Sequence, residues 1–331
     1  MTSVTDMIPP AGLDDFLATA GWEDSHVTPV AGDASFRRYF RVQSETRGKA
    51  FLMDAPPPHE DPRPFIHIAQ YLSLHRFRAP EVFATDLTRG LVLLEDFGDR
   101  RMREHLDACP GDERTIYRAA IDAIVRLAKT PAVQAAPYDM ATYLREVQLL
   151  SEWYMPAMGI SFDAGEFDGV WTQALMPLSD YQKVTVLRDY HAENIMLLDD
   201  GQQGIIDFQD ALVGHPAYDL VSLLQDARRD VSPELEAEML SYYQENAHPD
   251  ADFDAHYALL GAQRNTKIIG IFTRLWKRDG KERYLSFLPR MWGLLERDLA
   301  HPDLVPVKQW FDMHIPSEMR NSMPTELNRD G

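Results

Sequence analysis

The amino-acid sequence predicts an α+β chain in two lobes, a small strand-rich one over 1–96 and a larger helical one over 97–331. Three observations carry this. The chain has 331 residues, more than one ordinary domain of about 100–200 residues. Its apolar pattern changes after Asp96-Phe97-Gly98, from runs of strand length to helical periodicity. The helical part is interrupted once, over 184–208, by three short apolar runs, the last two separated by a turn-forming stretch.

Taken in order, the first element is a helix over 11–20, with Leu13, Phe16 and Leu17 on one side. Strands follow between Val27 and Asp54: a turn at Gly32-Asp33, a strand over Phe36–Val42 and another over Ala50–Met53. Pro56, Pro57 and Pro58 end the run. A helix carrying Phe65, Ile68 and Leu72 comes next, then strands at Glu81–Thr85 and Gly90–Glu95. Glu95-Asp96-Phe97-Gly98 is the expected junction between lobes. In the second lobe Ile116, Ala120, Ile124 and Leu127 mark a helix over 114–129 that Pro131 closes. Another amphipathic helix is expected over 139–154. Val184–Leu187, Ile195–Leu198 and Gly204–Phe208 have strand length, and Asp199-Asp200-Gly201-Gln202-Gln203 has hairpin-turn composition. From Tyr218 to about 300 the pattern is mostly helical. The polar tail beyond about 314 is expected to lack fixed order.

Composition excludes several classes. With 45% hydrophobic and 26% charged residues, the chain can build a packed core, and a disordered protein is not expected. Its 33 Lys and Arg against 52 Asp and Glu give a net charge of −19. That argues against non-specific nucleic-acid binding and against an anionic membrane surface. It does not exclude an anionic small molecule, because local charges decide a site. The lone cysteine, Cys109, can form neither an internal disulfide nor a multi-cysteine metal site. No apolar run approaches the ~18 residues of a membrane span. The opening MTSVTDMIPP lacks the basic and apolar regions of a secretory signal. A cytoplasmic setting is expected, with a small-molecule substrate and no obligate protein partner.

The chemistry concentrates in Leu187-Arg188-Asp189-Tyr190-His191-Ala192-Glu193-Asn194 and Ile205-Ile206-Asp207-Phe208. The hairpin between them folds the chain back, so Asn194 and Asp207 are expected to come close, with Asp189 beside them. Three oxygen-bearing side chains on such a loop suit a hard cation, and magnesium commonly binds one or two carboxylates together with substrate phosphates. Asp207 and Asn194 are the expected metal ligands. Asp189 is the expected catalytic group, accepting or orienting the proton of an attacking hydroxyl. This division of labour is that of phosphoryl transfer, where positioning and charge do most of the work.

Asp189-Tyr190-His191-Ala192-Glu193-Asn194 resembles the D-x-H-x-x-N loop of the aminoglycoside phosphotransferase and choline kinase superfamily. Ile206-Asp207-Phe208 resembles its metal-binding strand end, and Gly214-His215-Pro216-Ala217-Tyr218-Asp219-Leu220 the element that follows. The strong part of the match spans about 187–224. One subgroup is closer. Ala34 to Val42, Met53-Asp54-Ala55-Pro56-Pro57, Ile206 to Ala211, Gly270 to Leu275 and Arg278-Asp279-Gly280-Lys281 look like the bacterial N-acetylmuramate/N-acetylglucosamine anomeric kinases. The resemblance implies a bilobal protein-kinase-like fold, ATP and Mg2+ as cofactors, and phosphorylation of an amino sugar at its anomeric hydroxyl in cell-wall sugar recycling.

The sequence also departs from that pattern. Leu187 stands where many relatives carry His, so a supporting contact is missing or replaced. Kinases hold the nucleotide phosphates with a Lys inside the third strand; here that stretch is Phe51-Leu52-Met53-Asp54, with Lys49 at its start. Either Lys49 serves, or an arginine of the strand Ser35–Arg41 does. Ser35, Arg37, Arg38 and Lys49 are therefore the candidates on the phosphate side. Gly32-Asp33-Ala34-Ser35 reads equally as a hairpin turn or a phosphate loop. Glu95 and Phe97 fall where adenine would meet backbone groups.

The remaining candidates have competing readings. Asp219 is either a helix N-terminal acid or a buried anchor of the catalytic loop, structural in both cases. His191 is expected to orient that loop. Residues 264–283 hold seven cations, Arg264, Lys267, Arg274, Lys277, Arg278, Lys281 and Arg283, against Asp279 and Glu282, a net +5. Arg264, Lys267, Arg274 and Arg278 share a helical face. That face is either solvated or a site for phosphate or the lactyl carboxylate of N-acetylmuramate, for which arginine is suited. Arg264, Lys267 and Arg274 are the substrate candidates there. Glu146, with Trp153 and Tyr154, reads as core packing or sugar contact, and Gln209 and Asp210 as substrate contacts by position. Two other functions stay open: a kinase of choline, an aminoglycoside or homoserine, and a nucleotide-binding pseudokinase regulator.

Overall fold

The computed structural model describes residues 7–30, 37–179, 181 and 183–320. Helix α1 (Leu13–Thr19) leads into strands β1 (His26–Val30), β2 (Arg38–Ser44) and β3 (Gly48–Asp54). Helix α2 (Arg63–Leu74), strands β4 (Val82–Asp86) and β5 (Leu91–Glu95) and helix α3 (Met102–Ala108) follow. Then come α4 (Glu113–Ala128) and α5 (Met140–Leu149), the latter running through a π turn (Leu150–Tyr154) into α6 (Met155–Ala157). Helix α7 (Ala164–Leu175) precedes strands β6 (Val184–Val186), β7 (Ile195–Leu197), β8 (Gln203–Ile205) and β9 (Leu212–Gly214). The chain closes with α8 (Ala217–Leu224), α9 (Pro233–Ala247), α10 (Phe253–Asp279), α11 (Leu288–Asp298), α12 (Val305–His314) and α13 (Ser317–Arg320).

These elements form two compact units, Met1–Pro110 with Glu193–Asp210, and Gly111–Ala192 with Ala211–Gly331. The first holds an antiparallel sheet in the order β1-β2-β3-β5-β4. Alternation puts Phe40 and Val42, Ala50 and Leu52, and Leu91 and Leu93 on one face, packed with Leu13, Phe16, Leu17 and Trp22. Gly90 is left-handed (φ 77°), and a Cβ there would fall 1.9 Å from the Ala55 carbonyl oxygen. The turn into β5 therefore requires glycine. Strands β7 and β8 form the expected hairpin. It is tied to the first unit by Leu197 N–H to Arg100 O (2.8 Å) and Ile205 N–H to Arg78 O (2.8 Å). The return strand ends at Ile205 instead of Phe208, because Asp207 turns left-handed (φ 59°).

The second unit is built around α10, which packs on α5 and its π turn, α8 and α11. Gly270 lets α10 approach that turn, since a Cβ would lie 2.3 Å from the Leu149 carbonyl carbon. Asp139 caps α5 by accepting the Thr142 N–H at 2.9 Å. Gly280 (φ 64°) stops α10 in the left-handed conformation common after helices. Strand β6 pairs with β9, a three-residue strand that sequence periodicity does not mark. The described part of the tail is ordered, contrary to expectation. Ile315 is buried, and the buried Arg320 guanidinium reaches Asp312 (2.8 Å), Glu296 (3.2 Å) and the Ile315 carbonyl (2.6 Å). Among the described residues no helix is long and apolar enough to cross a membrane.

Candidate active site

The loop after β6 is fixed by a buried carboxylate. Asp219, in the first turn of α8, accepts the N–H of Leu187 at 2.8 Å and of Arg188 at 2.9 Å. Of its two readings, the loop anchor is the one observed. Burial pushes its pKa up to about 7, against the pull of the two N–H donors. Arg188 takes the left-handed conformation (φ 70°), which costs energy for a non-glycine residue and needs such a clamp. Ser222 donates to the Arg188 carbonyl (3.1 Å) and accepts from Arg264 Nη2 (2.9 Å). Next to Leu187, Arg188 Nη2 reaches Glu146 at 2.5 Å. His191 is buried, with Arg228 Nη1 3.4 Å from its Nε2, and the next N–H, of Ala192, donates to Asp226 at 3.2 Å.

Cations surround Asp189. Burial works against its charge, but Lys267 foremost, with Arg264 and Arg188, holds its pKa below the usual value, while burial lowers the pKa of His191 itself. Asp189 is a carboxylate at neutral pH, able to accept a hydroxyl proton. Behind it lies a buried charge network. Glu146 receives Lys267 Nζ (2.8 Å), Arg188 (2.5 Å), Gln263 Nε2 (3.0 Å) and the Tyr138 hydroxyl. Burial opposes its ionisation too, yet Lys267 and Arg188 bring its pKa down to about 2. Lys267 also donates to the Tyr218 hydroxyl at 3.2 Å.

Three sequence candidates therefore face inward. Glu146 is buried and engaged by four side chains, so it supports the loop instead of lining a sugar surface. Arg264 and Lys267 do not lie on a solvated basic face; Arg264 is buried and Lys267 is spent on Glu146. Arg274 is half-buried further along α10.

The chain passes from the second unit to the first between Ala192 and Glu193. The hairpin then brings Asn194 and Asp207 together as expected. Ile206 N–H donates to the Asn194 carbonyl at 3.0 Å, and Asn194 Nδ2 is 3.5 Å from Asp207 Oδ2. Phe208 anchors the turn by stacking on Phe65 of α2 with centroids 4.9 Å apart. Asp207 is exposed. Gln209 Nε2 bridges Asp207 Oδ1 (3.0 Å) and Asp210 Oδ2 (3.3 Å), so one substrate candidate, Gln209, holds the metal candidate and is itself held by the other. The donor chemistry fits magnesium: a carboxylate and an amide 3.5 Å apart, with the amide oxygen and nitrogen interchangeable by rotation.

The basic candidates of the first unit separate by position. Arg37 and Asp207 both act on the Tyr39 hydroxyl, whose pKa is raised mainly by burial. Arg37 also lies 3.5 Å from Glu60. Arg38 is held by Asp54 (Nη2 at 2.5 Å) and by the Ile8 carbonyl (2.9 Å). Lys49 pairs with Gln43, four positions along the ladder from the Tyr39–Met53 pair, about 13 Å away. It is exposed at the far end of β3. Ser35 and the turn at Gly32-Asp33 lie outside the described residues. At the junction, Glu95 is paired with Arg78 (2.6 Å), and its N–H donates to the Glu81 carbonyl at 2.8 Å. Phe97 lies under the Arg78 guanidinium, 5.0 Å from it, and packs on Gly204, where a Cβ would approach the ring to 2.6 Å.

A strand-rich unit, a helical unit, an ionised aspartate on a clamped loop and an oxygen pair on the following hairpin together define a phosphotransferase with a protein-kinase-like fold. The chain belongs to the phosphotransferase enzyme family, whose pattern it matches over residues 26–257. It is 36% identical to an N-acetylmuramate/N-acetylglucosamine kinase of Caulobacter vibrioides, over 92% of this chain and 96% of that protein. It is 35% identical to one of Pseudomonas aeruginosa, over 88% and 90%. Among solved structures it resembles a choline/ethanolamine kinase family protein of Mesorhizobium loti, with TM-score 0.62 and 16% identity over 92% of this chain and 97% of that one. It also resembles an ADP-bound aminoglycoside phosphotransferase, with TM-score 0.60 and 14% identity over 86% and 97%.

Proposed function

We propose that this phosphotransferase transfers the γ-phosphoryl group of ATP to the anomeric hydroxyl of N-acetylmuramate and N-acetylglucosamine. The 1-phosphates and ADP are the products. The sugar assignment is supported by the relatives, which carry that name at 34–36% identity over about nine-tenths of this chain. The structural observation behind the chemistry is Asp189 on a loop that Asp219 clamps, with the Lys267, Arg264 and Arg188 cations favouring its carboxylate form.

In this reading Asp189 orients the anomeric hydroxyl and takes its proton as the oxygen attacks the γ-phosphorus. The bond from that phosphorus to the β–γ bridging oxygen breaks, and ADP leaves. Asn194 and Asp207 hold Mg2+, which when bound neutralises phosphate charge. Arg37, immediately before strand β2, is the basic residue assigned to the phosphates in preference to Lys49. Gln209 keeps Asp207 aimed. Glu95 and Phe97 belong to the adenine side. The functional lobes 1–96 and 97–331 and a cytoplasmic location are parts of the same proposal.

The test is a panel of N-acetylmuramate, N-acetylglucosamine, choline, homoserine and kanamycin with ATP and Mg2+, with the new phosphate located by phosphorus NMR. The expected result is a 1-phosphate on both amino sugars. Turnover of choline or kanamycin with neither amino sugar overturns the substrate. Nucleotide binding with no transfer to any alcohol supports the regulator instead.

A further inference from the structure

The cations of segment 264–283 are not equivalent. Arg264 is buried on Ser222, Lys267 on Glu146, Arg278 is paired with Asp279 (2.7 Å), and Lys277 lies 3.9 Å over the Trp276 ring. Arg274 differs. Among the described residues it makes no ion pair, and its Nε is buried without an acceptor. The acids near it are already taken: Glu152 by Arg145 (2.8 Å) and Asp279 by Arg278. Burial, and then Arg278, lower its pKa from the usual arginine value, while Asp279 and Glu152 oppose that and Arg145 adds to it. Counted together, these five side chains leave one positive charge in excess, on a guanidinium whose planar fork suits a carboxylate.

Its place on α10 is specific. Over 261–275 every residue is buried except Lys267, Ile271 and Arg274. Steps of four and three put these on one stripe, the half-buried side of these turns. Lys267 begins the stripe, and its charge favours the carboxylate form of Asp189. Arg274 lies seven residues on, about 10 Å along the axis, a span that a pyranose bearing a three-carbon acid and the arginine side chain together bridge. Beside it runs the π turn Leu150–Tyr154, which Gly270 allows against the helix; such turns often occur at functional sites.

We infer that Arg274 is the specificity residue for the acid substituent of the sugar, its guanidinium receiving the lactyl carboxylate of N-acetylmuramate while Ile271 lies under the ring. This rests on the sugar-kinase reading above and deepens it. N-acetylglucosamine lacks the carboxylate, so the two sugars separate the effect of Arg274 from everything else the enzyme does.

The experiment compares kcat and KM for both sugars in the wild type, R274Q and R274K. In R274Q, kcat/KM for N-acetylmuramate is expected to fall about 10–100-fold, chiefly through KM, the range for losing a charged hydrogen bond. For N-acetylglucosamine it should stay within about twofold, which also shows that the variant is folded. R274K should recover part of the loss. An unchanged value for N-acetylmuramate overturns the inference while leaving the sugar-kinase reading intact. An equal fall on both sugars also overturns it, marking Arg274 as structural or as a phosphate contact. A wild-type chain that phosphorylates neither sugar overturns the proposed function and the inference with it.

Discussion

The two segments that carry the proposed chemistry are held in opposite ways. The loop over 187–192 is clamped from inside the second unit. Asp219 binds its backbone, Glu146 binds the Arg188 side chain, and Ser222 and Asp226 take further backbone groups. The turn over 206–210 in the first unit is exposed at Asp207, whose carboxylate meets the Asn194 and Gln209 amides. A group that must hold one proton acceptor in place benefits from buried, pre-paid order. A carboxylate that receives a hydrated cation gains from staying open to solvent. On the proposed function, the difference teaches that the protein itself positions the base, whereas the ligand completes the order of the turn assigned to the metal.

Each side of that contrast can be attacked. The largest effect is expected for D189N, where kcat should fall by roughly 10³-fold with little change in thermal stability, because general-base removal costs about 10²–10⁴. An unchanged kcat breaks the contrast at its root. Next is D207N, expected to lower kcat/KM by about 10²-fold or more at low Mg2+, with partial recovery at high Mg2+. Magnesium titrations that superimpose for wild type and variant would remove Asp207 from the metal.

Much of this arrangement is legible in the sequence, and the parts that are not share a cause. Strand β2 alternates, with Phe40 and Val42 buried on the face that packs on Phe16 and Trp22, whereas β5 is legible as a continuous apolar run buried from Leu91 to Leu94. The pairing of Asn194 with Asp207 follows from a hairpin whose turn residues are explicit. Strand β9 is missed because three residues ending in glycine hold too little periodicity. Arg188 as a structural residue, and Glu146 as its partner, are missed because they are 42 positions apart. Spacing carries no signal over that distance, nor over the 121 separating Lys267 from Glu146. The shared face of Arg264 and Lys267 is visible in the helix period, but not that α5 and α8 cover it.

The buried half of the contrast also has a pH signature. Glu146 has a folded pKa of about 2 against 4.5 for an ordinary glutamate. Its contribution to stability is therefore full above pH 4.5 and lost as the pH falls toward 2. E146Q should be less stable at neutral pH by about 3–5 kcal/mol, since it leaves Arg188 and Lys267 without their charge partner. It should also lose less further stability than the wild type between pH 4.5 and 2. Denaturant melts across that range check this, and parallel curves would contradict it. A smaller effect separates the two phosphate candidates. R37M should raise the KM for ATP about tenfold, whereas K49M should stay within about twofold, as an exposed lysine about 13 Å along the ladder implies. The reverse order would return the role to Lys49.

The central claim is that a protein-fixed Asp189 takes the proton of an anomeric hydroxyl. It is tested most directly by incubating the full chain and its D189N variant with ATP, Mg2+ and N-acetylglucosamine and locating the transferred phosphate by phosphorus NMR. The account predicts the 1-phosphate from the wild type and roughly 10³-fold slower formation from D189N. Phosphate on any other oxygen, or equal rates from the two proteins, would contradict it.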